Sequence, residues 1–156
     1  MTFEIERKFL VEQLPPSIAI DSEEEIAQGY LAIGEDQVRL RRRGSSHLIT
    51  VKRGRGLTRD EVEVPLARAS FEELWPLTEG RRLEKTRRTT RVEGGTIEID
   101  VYHPPLAGLV TAEIEFADED AARAFTPPAW LARELTDDDR YSNQRLALEG
   151  LPAAEG

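Results

Sequence analysis

The sequence has no cysteine, which excludes a disulfide framework and any thiolate metal site. Aromatic residues are few, five Phe, three Tyr and two Trp. That is too sparse a set for a base-stacking platform across several strands, and it argues against an RNA-binding barrel. Histidine occurs only as His47, after a Gly/Ser turn, and His103, before two prolines. Both positions suit loops or strand ends better than metal ligation. No apolar stretch approaches the roughly 20 residues that cross a bilayer. The opening MTFEIERKFL has neither the apolar core nor the cleavage site of a secretion signal. A cytoplasmic location without a membrane partner is expected. A surplus of positive charge is missing too: at a net charge of −9 the chain lacks the basic excess with which nucleic-acid binders displace counterions from phosphate.

What is present is charge in the wrong places for an ordinary surface. The 156 residues, 39% hydrophobic and 33% charged, suffice for one core and fall short of two. Residues 1–150 read as a single domain and 151–156 as a flexible tail. Between Val38 and Arg59 stand Arg39, Arg41, Arg42, Arg43, Lys52, Arg53, Arg55 and Arg59 without one acid, whereas from Glu113 onward eleven acids meet four bases. Such a chain can hold an anion locally while repelling long polyanions.

Period-two alternation predicts strands over 2–10, 26–33, 37–43, 47–53, 59–65, 83–92, 96–102 and 109–117. The links at 44–46 and 93–95 are hairpin length, so neighbours run antiparallel. Helices are expected over 70–77, opened by Ser70 with Glu73 three residues on, and over 119–126 behind Asp118. A third is expected over 129–149, with Thr136 ahead of Asp139 and Gly150 at the stop. The RGRG at 53–56 reads as a flexible turn, and the acids at 137–139 complement a helix dipole.

Sorting each strand into its two faces repeats one division. Glu4, Glu6 and Lys8 oppose Phe3, Ile5 and Phe9; Arg39, Arg41 and Arg43 oppose Val38 and Leu40; Thr50 and Lys52 oppose Ile49 and Val51. Glu61 and Glu63 oppose Val62 and Val64, while Lys85, Arg87, Thr89 and Arg91 share one side. Glu98, Asp100 and Tyr102 oppose Ile97, Ile99 and Val101, and Glu113 and Glu115 oppose Ala112, Ile114 and Phe116. For any single strand a solvated outer face explains this. Repeated like-charged neighbours on one face are costly unless something of opposite charge lies between them. Eight antiparallel strands can close on themselves, leaving the charged face to line a bore. The apolar outside would be covered by Phe71, Leu74, Trp75, Phe125, Trp130, Leu131, Leu135, Leu146 and Leu148, and by a homodimer contact. Paired carboxylates suit hard divalent cations and the Lys and Arg set suits several phosphates at once, so metal with a polyphosphate is the ligand that both describe.

EIERKF matches the ExExK signature of the CYTH domains, or triphosphate tunnel metalloenzymes, with Glu4, Glu6 and Lys8 at its three defining positions. QGYL, VRLRRR, TVKRG, RDEVEVP, EKTR, IEIDVY, AEIEF and RYSN resemble further blocks of that family in the same order, from Thr2 to about Leu148. The resemblance implies a mainly β (α+β) fold, an eight-stranded antiparallel closed barrel or tunnel with a few flanking helices, binding a triphosphate with Mg²⁺ or Mn²⁺. It implies that Glu4, Glu6, Asp100, Glu113 and Glu115 hold metal and that Lys8, Arg39, Arg41, Lys52, Lys85 and Arg87 grip the phosphates. Glu4, Glu6, Lys8, Lys52 and Lys85 are then the catalytic candidates, and Glu61 and Glu63 belong to the substrate-binding set, whether by orienting the bases, binding metal or positioning water. Arg43, Arg59, Arg91 and Glu98 share the face and are placed at the tunnel mouths. The compact chain resembles most the short bacterial members that cleave inorganic tripolyphosphate. A class IV adenylate cyclase, a thiamine triphosphatase and a non-catalytic polyphosphate-binding module are the alternatives. Tyr30 and Tyr141 are the aromatics best placed to meet a ring, each with a structural role as the simpler reading.

Overall fold

The computed structural model describes residues 5–54 and 60–153. Glu4, Arg55, Arg59 and the tail residues 154–156 therefore lie outside the described residues. Each expected strand is present: β1 (Ile5–Leu10), β2 (Ser22–Ala32), β3 (Gln37–Arg43), β4 (Ser46–Arg53), β5 (Asp60–Pro65), β6 (Arg82–Val92), β7 (Gly95–Tyr102) and β8 (Val110–Phe116). They form one antiparallel sheet in the order β1-β8-β7-β6-β2-β3-β4-β5. Two-residue turns at Gly44–Ser45 and Glu93–Gly94 join β3 to β4 and β6 to β7; Gly44 (φ 57°) and Gly94 (φ 97°) take the left-handed backbone these turns need. No ladder joins β1 to β5 among the described residues, and the sheet is a curled half-barrel.

The apolar core lies on the outer face of one half of the sheet. Phe9, Ile97, Ile99, Ala112, Ile114 and Phe116 pack with Ala122 and Leu131, covered by α2 (Glu119–Ala124) and by Phe125 and Trp130. Asp118 caps α2 as expected, accepting from the Ala121 amide at 2.7 Å. On the other half, α1 (Arg68–Leu74) and a 3₁₀ turn over Trp75–Thr78 give partial cover. Gly29 of β2 is small because the turn sits on it: a Cβ there would lie 2.6 Å from Thr78. On β5, Val62 and Val64 remain 57% and 45% exposed. No helix among the described residues is long and apolar enough to cross a membrane.

Two helical expectations need correction. α1 begins at Arg68 with Ala67 at its N-cap and no side-chain cap, so Ser70 lies inside the helix. Burying Phe71 against His47 and Trp75 (ring centroids 4.8 and 5.1 Å apart) outweighs the roughly 1 kcal/mol of a cap. Nor is 129–149 one helix. Residues 132–135 run extended along the free edge of β1, with Leu10 N donating to Arg133 O (2.8 Å), Ala132 N to Leu10 O (2.8 Å) and Leu135 N to Lys8 O (2.7 Å). Thr136, expected as a helix cap, accepts instead from the Lys8 amide at 3.1 Å. Helix resumes as a 3₁₀ turn over Asp139–Tyr141 capped by Asp138, then as α3 (Asn143–Glu149) capped by Ser142 and ended at Gly150. An open strand edge needs partners for its amides and carbonyls, and that demand overrides the helical pattern of the tail. Trp130 consequently lies in a turn.

Candidate functional site: the charged face of the sheet

Antiparallel register turns the alternation of each strand into rows across the sheet. Glu6 stands opposite Glu115, Lys8 opposite Glu113, and Glu113 in turn opposite Glu98. Arg87 is opposite Asp100, Gln28 opposite Arg41, Thr50 opposite both Arg39 and Glu63, and Lys52 opposite Glu61. The face is therefore graded: acids on β1, β8 and β7 with Lys8 among them, bases on β6, β3 and β4, and acids again on β5.

At its centre Lys85 is fully buried and Asp100 nearly so. The Lys85 ammonium lies 2.7 Å from Asp100 Oδ2, an ion pair in distance but without an aligned hydrogen bond. Arg87 closes on the same carboxylate with Nε to Oδ1 at 2.8 Å and Nη2 to Oδ2 at 3.0 Å, and its Nη1 reaches Glu98 at 2.6 Å. Burial favours the neutral acid, yet Lys85 and Arg87 hold Asp100 well below the usual carboxylate range. Burial pulls Lys85 down to about 7 against the attraction of Asp100. Arg87, though burial works against its charge, is held above its ordinary value by Asp100.

Next to this cluster Arg41 lies buried with both Nε (3.1 Å) and Nη2 (2.9 Å) donating to the Gln28 amide oxygen. Burial first, then Arg39 and Arg87, lower Arg41 to about 10. Arg39 Nη2 reaches Thr50 Oγ1 (3.4 Å) and Glu63 (3.6 Å), while its buried Nε has no hydrogen-bond partner. Thr50 donates to Glu63 at 2.7 Å, and Lys52 stands 3.9 Å from Glu61. The β5 acids thus meet bases of β3 and β4. Lys8 Nζ lies 3.7 Å from Glu113 and donates to the Tyr141 carbonyl at 2.6 Å. One end of the face is closed by apolar packing: Leu10, Leu83 and Tyr102, of the same strand parity, gather with Leu106, Leu109 and Leu146 of α3. Tyr102 Oη donates to Asn143 there at 2.6 Å.

Arg43 pairs with Glu24 at 2.6 Å, toward the exposed end of the face. His47 packs on Phe71 and His103 meets Thr86 at 2.8 Å on the opposite face, so neither imidazole joins the site. Two surface hollows among the described residues also lie off it, one beside Arg42, His47 and Phe71, the other beside Asp36, Arg53 and Asp60. Sequence reasoning passed over Gln28. Its signal was a polar residue at an inward position of β2, the one strand whose faces do not separate by charge.

These geometric findings meet an independent one: a CYTH domain family model matches residues 2–144. The chain belongs to the CYTH domain family. An inorganic triphosphatase of Nitrosomonas europaea is 45% identical to this CYTH chain over 151 residues, covering 93% of it and 97% of the relative. One from Acetivibrio thermocellus is 37% identical over 153 residues, covering 92% of each. A crystal structure of an inorganic triphosphatase superposes with a TM-score of 0.75 at 41% identity, covering 97% of this chain and 99% of that one.

The family implies a divalent metal. Its fit rests on donor chemistry: oxygen-only carboxylates face each other at Glu6/Glu115 and Glu98/Glu113, the ligand type hard cations take. Among the described residues no three acids or imidazoles converge into a formed metal site, and Glu4 lies outside them.

Proposed function

We propose that this CYTH protein hydrolyses inorganic tripolyphosphate to pyrophosphate and phosphate in the cytoplasm, with the charged face of its curled sheet as the substrate-binding surface. The observation that carries the reading is the row of buried cations with unspent donor capacity. Arg39 Nε is buried without a hydrogen bond, Arg41 has only a neutral hydrogen-bond partner, and Lys85 shares the single Asp100 carboxylate with Arg87. Burying cations this way is costly unless an anion completes their bonding, and a chain of phosphates matches several such donors in sequence.

Lys8, Arg39, Arg41, Lys52, Lys85 and Arg87 hold the phosphate chain, with Glu61 and Glu63 orienting Lys52 and Arg39. Glu4, Glu6, Glu113 and Glu115, together with Asp100, are the residues that would hold Mg²⁺ or Mn²⁺. The ion would neutralise phosphate charge and acidify a bound water. In the reaction one P–O bond forms to water, the anhydride P–O bond breaks, and the bridging oxygen leaves with pyrophosphate. The basic residues offset the charge that gathers on that oxygen. An inorganic substrate is favoured because the strand aromatics on this face among the described residues, Tyr30 and Tyr102, are 1% and 3% exposed and offer no wall to a nucleobase or thiazole ring, while the half-buried ring of Tyr141 at the closed end is taken by Arg133 and Arg140.

Phosphate release from tripolyphosphate, ATP and thiamine triphosphate with Mg²⁺ and Mn²⁺ tests this. Turnover of tripolyphosphate well above the others is expected, abolished in Glu6→Ala with the fold retained by circular dichroism. Cyclic AMP from ATP would make the protein a cyclase, and tight tripolyphosphate binding without phosphate release would make it a binding module.

A further inference from the structure

We propose that Gln28 is a positioning residue for the phosphate chain, aiming Arg41 while leaving its positive charge uncancelled. The inference rests on the tripolyphosphate reading and adds a determinant of affinity to it.

The sheet holds two buried arginines in matching grips. Arg87 is gripped through Nε and Nη2 by the Asp100 carboxylate at 2.8 and 3.0 Å. Arg41 is gripped through the same two nitrogens by one amide oxygen of Gln28 at 3.1 and 2.9 Å. The first grip neutralises and the second does not: no carboxylate of the described residues lies within ion-pair distance of Arg41. Both grips fix the plane of the guanidinium, so Gln28 supplies direction alone.

The amide itself is held from behind. Gln28 Nε2 donates to Tyr30 Oη at 3.1 Å, and Gln28 and Tyr30 are 0% and 1% exposed. The reversed amide would set its NH₂ donors against the guanidinium donors, so hydrogen-bond chemistry selects the orientation. Tyr30 stays a neutral phenol, its pKa raised by burial, and the line Tyr30–Gln28–Arg41 carries a single charge, at its substrate end. Arg39 and Arg87 each repel the Arg41 charge more than the Asp100 carboxylate attracts it, so an arriving anion would meet an incompletely compensated cation. A glutamate of the same shape at position 28 would keep the direction and spend the charge in advance.

Two near-isosteric variants separate direction from charge. Tripolyphosphate affinity would be measured by calorimetry at low and high salt for the wild type, Gln28→Glu and Gln28→Met, with thermal unfolding as the check on folding. Gln28→Glu is expected to fold at least as stably as the wild type and to bind roughly ten- to a hundredfold more weakly, with a shallower salt dependence. Gln28→Met is expected to weaken binding while keeping the wild-type salt dependence, since the charge remains and only its aim is lost. Binding by Gln28→Glu within twofold of the wild type would overturn the inference, as would equal losses in both variants with unchanged salt dependence. A wild type without affinity for tripolyphosphate would instead bring down the functional reading, and this inference with it.

Discussion

Lys85 and Asp100 show what a single side chain decides in this protein. Asp100 offers both its oxygens to cations, Oδ1 to Arg87 and Oδ2 to Arg87 and Lys85, in a position almost without solvent. Removing one partner of such a cluster leaves the others charged and dry, a loss on the order of 3–5 kcal/mol, whereas removing charge on both sides is far milder. Asp100→Leu should therefore lower the urea unfolding free energy by about that amount, and adding Lys85→Met to it should recover a large part. A loss under about 1 kcal/mol in the single variant would mean that water reaches Lys85 and that the burial argument fails there. Asp100 was legible in the sequence as an inward carboxylate by parity alone. Its pairing with Lys85 was not, because parity says which face a residue takes and register says whom it meets.

Among elements, the extended strap of residues 132–135 ties the C-terminal part of the chain to β1. Arg7 is its rivet: Nε and Nη2 meet Glu134 at 3.0 and 2.7 Å, and Nη1 donates to the carbonyls of Ala122 and Phe125 at 2.9 and 3.0 Å. Hydrogen bonding from Arg7 holds the Glu134 carboxyl below its ordinary 4.5, and hydrogen bonding from Arg140 holds Asp138 at about 2 against an ordinary 3.8. A depressed folded value means stabilisation that is complete above the unfolded value and lost as pH falls through the folded one. The thermal stability gap between wild type and Glu134→Gln should thus be widest above pH 5 and narrow steadily as the pH falls below the ordinary 4.5. A gap that holds constant down to pH 3 would show that Glu134 contributes through shape rather than charge. The eight strands were legible because period-two alternation is local, and Gly44 and Gly94 marked two of their turns. The strap was not: an unpaired edge on β1 draws it out of helix, and that edge lies more than a hundred residues away in sequence. Arg7, the one charge on the apolar side of β1, was the available clue that something polar would arrive from elsewhere.

At the scale of the whole molecule, a net charge of −9 surrounds a strand face whose middle is basic. Part of that cationic middle is balanced from within, Arg87 by Asp100 and Glu98, Arg39 by Glu63, but Arg41 is not, and Arg39, Arg41 and Arg87 crowd one another. The face thus carries electrostatic strain that a short polyanion would relieve, while the acidic remainder repels long ones. The order of blocks along the chain made the basic stretch and the acidic flanks visible beforehand; the sheet order β6-β2-β3-β4, which brings the bases of β6 alongside those of β3 and β4, needed the three-dimensional fold. Tripolyphosphate alone, without added metal, should therefore raise the melting temperature. At a hundredfold excess over Kd the linkage is worth about 2.7 kcal/mol, or roughly 5–10 °C for a chain of this length. Monophosphate, which cannot span the row from Arg39 to Lys85, should give a much smaller shift at the same concentration, and long-chain polyphosphate should gain little per phosphate because its overhang meets the acidic surface. Equal shifts from monophosphate and tripolyphosphate would mean that the cations act as separate sites, and the strand face would then be no more than a charged surface.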